Sequence, residues 1–132
     1  MQLKRIVSGS GLVMALAAAS MAAGPVSAHH SLSKFDLVKE ETLVGVVKEF
    51  QWTNPHSWIE LDVPDAKGAV EEWGIEALSP NYLTRRGWNR VTLKPGDKVS
   101  VVIHPLKDGA HGGSFVRVTL ANGVVMRQTS LE

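Results

Sequence analysis

Residues 42–63 read TLVGVVKEFQWTNPHSWIELDV, and this stretch decides the fold class. Val44, Val46, Phe50 and Trp52 fall at even spacing, the period-two signature of a strand with one buried face. Gly45 inside that run permits a sharp bend or a bulge. Thr53-Asn54-Pro55 is turn chemistry. Beyond the turn, Ile59, Leu61 and Val63 point one way and Trp58, Glu60 and Asp62 the other, which makes a second strand.

Downstream the same alternation continues. Pro64 to Gly68 turns the chain into a third strand, with Trp73, Ile75 and Ala77 inward and Glu72, Gly74 and Glu76 outward. Ser79-Pro80 then reads as a helix start, because Ser accepts a bond from an orphan amide and Pro is pre-set for the first helical position. Gly87 stops that short helix. Lys94-Pro95-Gly96-Asp97 turns into a fourth strand that buries Val99, Val101 and Ile103. A glycine-rich loop over 108–113 precedes a fifth strand with Val116, Val118 and Leu120 inward. Asn122-Gly123 is a hairpin signal, and residues 124–127 return as a short sixth strand.

The expected fold is therefore all-β with one short helix, a small OB-like Greek-key barrel of five to six strands. An open β-sandwich is the alternative. The absence of cysteine argues against a copper-carrying cupredoxin, whose thiolate ligand would have no residue to come from.

Upstream, the chain carries the three-part layout of a secretory signal. Lys4 and Arg5 form the basic region, Leu12 to Ala23 an uncharged apolar run, and Val26-Ser27-Ala28 the small-x-small cleavage pattern. The apolar run falls short of the roughly 20 residues that span a bilayer. The expected organisation is a signal peptide over 1–28, an amino-terminal arm over 29–40 and a single barrel domain over 41–130. The expected location is the periplasm, with no membrane anchor after cleavage. Loss of Lys4 and Arg5 leaves 12 basic and 13 acidic residues, a net charge of −1. That balance, export and the acidic outer positions of strands two and three argue against nucleic acid as a partner.

The start His29-His30-Ser31, the segment Phe50 to Trp58, Leu78-Ser79-Pro80, Leu93 to Asp97 and His104 to Gly109 together resemble a family of small exported bacterial proteins known as a domain of unknown function. The resemblance covers nearly all of the mature chain, and Trp52-Thr53-Asn54-Pro55-His56-Ser57 is its most specific part. It implies export and one compact domain, and it assigns no activity.

Function has to be read from side chains. The five histidines are His29, His30, His56, His104 and His111, each in an arm, turn, strand end or loop. Cleavage after Ala28 makes His29 the first residue, with a free amine and an imidazole that can chelate one ion. A further imidazole from His56 or His104 completes a nitrogen set favoured by Cu(II). The arrangement resembles the histidine brace of copper monooxygenases and of some periplasmic copper binders. With unperturbed pKa values of about 7.7–8.0 for the amine and about 6.5 for imidazole, both groups can release their protons to a metal near neutral pH. Asn54-Pro55-His56-Ser57 is equally a self-bonded turn, and His104 equally a solvent-facing residue before Pro105. Trp58, outward and close to His56, offers an aromatic platform.

The first functional expectation is thus an exported domain that binds copper or another transition metal through His29, His56 and His104. The alternative is a metal-free adaptor that docks on a periplasmic or membrane protein through Trp58. An enzyme is the weakest reading, because no nucleophile elbow or paired acid and base occurs.

The exported protein is expected to begin at His29 with an unmodified amine. Intact-mass measurement on protein secreted with its own leader checks this, and any other first residue removes the amino-terminal chelate.

Overall fold

A computed structural model describes residues 32–129. Its strands are β1 (Glu41–Gln51), β2 (Trp58–Pro64), β3 (Val70–Glu76), β4 (Lys98–Pro105), β5 (Gly112–Thr119) and β6 (Val125–Arg127), with one helix, α1 (Pro80–Thr84), between β3 and β4. The sheet order is β3-β2-β1-β4-β5-β6, and β3 also pairs with β5. That extra pairing closes five strands into an OB-like barrel and leaves β6 as an appended strand on β5. Closure removes the open edges that a sandwich would have kept.

The barrel interior follows the alternation of β2 and β4. Ile59, Leu61, Val101 and Ile103 are fully buried, and Val99 nearly so. Leu83 of α1 and Trp88 behind it complete the core. The Trp88 ring meets Phe50 and Phe115 at 6.0 and 5.4 Å between centroids. Its indole N–H donates to the Arg127 carbonyl at 2.9 Å, so this large ring is buried without an orphaned donor.

Three local readings are corrected by the structure. In β1 the buried residues are Leu43, Gly45 and Val47, whereas Val44 and Val46 face solvent. Val47 pairs with Leu61 and Glu49 with Glu60, so Lys48 is an extra residue and the parity of the strand flips there. Phe50 and Trp52 thereby reach the core beside Leu43 and Val47. Lys48 itself turns outward to Glu72, whose hydrogen bond raises the lysine above its ordinary pKa.

The same device acts in β5. Phe115 pairs with Ile103 and Arg117 with Val102, so Val116 is the extra residue and Phe115 takes the buried position expected of it. Ser79, finally, makes no side-chain cap on α1. Its backbone carbonyl instead accepts from the amides of Tyr82 and Leu83, at 3.0 and 3.1 Å.

Gly45 is required by a close approach rather than by a turn. A Cβ there would collide with the Asp62 backbone carbonyl and press on the Leu61 side chain. Gly74, by contrast, has open space where a Cβ would stand. Gly45→Ala is therefore expected to cost about 1–3 kcal/mol. Gly74→Ala is expected to be neutral or to stabilise by up to ~1 kcal/mol. Urea unfolding of both variants measures the difference, and equal midpoints would remove the close-approach account.

Candidate functional site

The segment 32–39 packs on the barrel and makes the site. Phe35 is buried and bridges to Leu106. The Asp36 amide donates to the Pro105 carbonyl at 2.9 Å, and the Lys107 amide to the Lys34 carbonyl at 3.0 Å. These bonds hold the arm along the end of β4 and the β4–β5 loop.

Strand register sets what lies beneath the arm. Glu76 of β3 pairs with Trp58 of β2 on one side and with Ser114 of β5 on the other, and Ser114 pairs with His104 of β4. Trp58, Glu76, Ser114 and His104 therefore form one row on the outside of the barrel, since paired residues share a face. Glu76 is nevertheless only 8% exposed. The arm covers it, and Lys34 Nζ meets its Oε2 at 2.7 Å. The same ammonium stands 4.9 Å from the centroid of Phe35 and 6.0 Å from that of Trp58.

His56 is the third member of this cluster. Its position follows from the turn between β1 and β2, where the Asn54-Pro55 bond is cis and the Thr53 hydroxyl donates to the His56 carbonyl at 2.9 Å. Bonds from Ser57 N to Leu78 O and from Ala77 N to Ser57 O then tie this turn to the end of β3. His56 Nδ1 lies 3.2 Å from the Ala77 carbonyl and 3.3 Å from Glu76 Oε1. Both neighbours only accept, so Nδ1 carries the proton that they share. In the neutral ring Nε2 then holds the lone pair. Metal-bound histidines share this pattern, in which the non-ligating nitrogen donates to a carbonyl or carboxylate. Leu32, Phe35, His56, Glu76, Leu78 and Gln128 line a cavity of about 40 Å³ at this point.

His104 has a comparable local bond, from Nδ1 to the Lys39 carbonyl at 2.8 Å. It belongs, however, to the other end of the arm. Glu76 and His104 are separated by Ser114, two strand spacings or ~10 Å. The structure thus brings Glu76 to His56 and leaves His104 apart. His111 stacks on Trp73, with centroids 4.9 Å apart and planes at 15°, and its Nε2 lies 3.6 Å from Glu71. His29 and His30 fall outside the described residues. Among the described residues, no group of three or more His, Asp or Glu side chains is placed to hold a metal ion.

Glu76 and Lys34 were not legible as site residues. By alternation Glu76 is one more outward acid beside Glu72, and Lys34 one more charge in a polar arm. Phe35, a lone aromatic in that arm, was the available signal that the arm packs on something.

No curated protein matches the chain. Among solved structures it is similar to the mitochondrial single-stranded DNA binding protein Rim1 from S. cerevisiae, at 15% identity and a TM-score of 0.44, over 63% of this chain and 94% of that one. A family of unknown function, DUF6152, matches over residues 15–115, a span that takes in His29, Glu76 and His104 as well as the His56 turn. The chain belongs to this family.

Proposed function

We propose that the chain is an exported, periplasmic metal-binding domain, and that it takes copper through the amine and imidazole of His29 together with Nε2 of His56. The observation that carries this reading is the orientation of His56. Its Nδ1 proton is committed to Ala77 O and Glu76 Oε1, which leaves the other nitrogen as a lone-pair donor. Leu32 lines the same cavity as His56. His29 stands three residues before Leu32, and three extended residues reach ~10 Å. A chelating amine and imidazole are thus within span of the second imidazole. Three nitrogen donors suit Cu(II), the tightest-binding divalent ion of the first transition row.

Glu76 contributes as an orienting group, not as a ligand. Its carboxylate holds the His56 proton on one oxygen and the Lys34 ammonium on the other, so one residue fixes both the imidazole and the arm. His104 is the weaker partner in this scheme, because its bond is to the far end of the arm at Lys39. The adaptor reading gains less from the geometry: the Trp58 ring is half-buried and already lies close to the Lys34 ammonium.

Copper titration of processed protein, followed by calorimetry and electron paramagnetic resonance, tests the proposal. One Cu(II) per chain with a nitrogen-rich spectrum is expected. A glycine added before His29, or His56→Ala, is expected to weaken binding at least about tenfold, and Glu76→Gln by roughly 10–100-fold. His111→Ala is expected to leave it unchanged. Unaltered affinity in the glycine-extended protein would overturn the assignment.

A further inference from the structure

The parity of β1 leaves two valines where a barrel needs none. Val44 and Val46 point outward, 65% and 36% exposed, on strand positions that ordinarily carry polar residues when one face meets water. Val44, Val46, Pro64, Val99 and Leu120 line an apolar groove of about 420 Å³. Val44 pairs with Ser100 of β4, while Val46 pairs with Asp62 of β2 on one side and with Lys98 of β4 on the other. Lys98, Val46 and Asp62 therefore stand in one row across three strands with their side chains on the outer face.

The two charges in that row have opposite sign and straddle β1 at about two strand spacings, ~10 Å. Neither Lys98 nor Asp62 has an ion-pair partner among the described residues.

We infer that this face joins two copies of the chain, related by a two-fold axis parallel to β1. Such a rotation lays the β4 side of one copy over the β2 side of the other. Val44 then meets Val44 and Val46 meets Val46, while Lys98 of each copy comes opposite Asp62 of the other. The row is self-complementary, as a two-fold contact demands. The exposed valines of each copy thereby cover those of the other. A lipid surface fits less well: Glu60 and Glu72 share the outer face with Asp62, and acidic groups are repelled by anionic headgroups. The inference is independent of the metal reading, because His56 lies beyond the opposite end of β1.

Sedimentation velocity over a wide concentration series tests it, with circular dichroism to verify the fold of each variant. The unaltered protein is expected to pass from monomer to dimer as concentration rises. Val44→Asp is expected to remain monomeric throughout. Lys98→Asp or Asp62→Lys alone replaces two attractive contacts by two repulsive ones and is expected to weaken the dimer about tenfold. The double variant Lys98→Asp/Asp62→Lys restores the complementarity and is expected to recover the original affinity. A chain that stays monomeric at every concentration overturns the inference. So does a Val44→Asp variant that still dimerises, or a double variant no tighter than its single parents.

Discussion

The barrel depends on a short contact between β3 and β5. Three parallel pairs make it: Gly74 with Gly112, Ile75 with Gly113, and Glu76 with Ser114. The strands can approach only because β5 begins with bare backbone. A Cβ on Gly112 would lie 2.8 Å from Leu106 Cδ1 and 3.0 Å from the Gly74 carbonyl. One on Gly113 would lie 2.6 Å from the His104 carbonyl. Gly112 and Gly113, which read as loop in the sequence, are thus the residues that turn an open sheet into a closed barrel. The same contact sets Glu76 beside Ser114, so closure and the placement of the candidate site are one event.

Glu76 then imposes a second constraint. A carboxylate held away from water is costly unless it is paired and bonded on its free lone pairs. Here the Lys34 ammonium takes Oε2 and the His56 ring takes Oε1. Remove either partner and the buried charge is left half-satisfied. The docking of the arm and the orientation of His56 therefore rest on a single carboxylate. Its effect on any ligand chemistry runs through position: the arm over 32–39 is held against the side of the barrel that carries His56.

How much of this was legible depended on whether the information was local. The alternations of β2 and β4 were read with the correct residues inside, because both strands bury one unbroken face. The closed barrel with a helix after the third strand also followed from the order of elements. Bulges broke the reading elsewhere. Val44, Val46, Phe50 and Trp52 look like one face, and only the extra residue at Lys48 puts them on two. Nothing in the local pattern marks Lys48 as unpaired, since a bulge is defined by the partner strand. The burial of Glu76 was hidden for the same reason. Its cover comes from residues some forty positions earlier, and alternation reports the face of a residue but not what lies over that face.

The parity change at Lys48 also bears on why β1 has the composition it does. The barrel takes Leu43, Val47, Phe50 and Trp52 from this part of the chain into its core, and the bulge is what lets all four arrive on one side. Once they are inside, Val44 and Val46 have no role in the interior. Threonine has comparable strand propensity and would satisfy β1 equally well while facing water. Neither folding nor strand propensity accounts for apolar side chains at those two positions, the second of which lies between the Lys98 cation and the Asp62 anion. The requirement for them must come from outside the barrel, and a surface that matches its own rotated image is the simplest source of it.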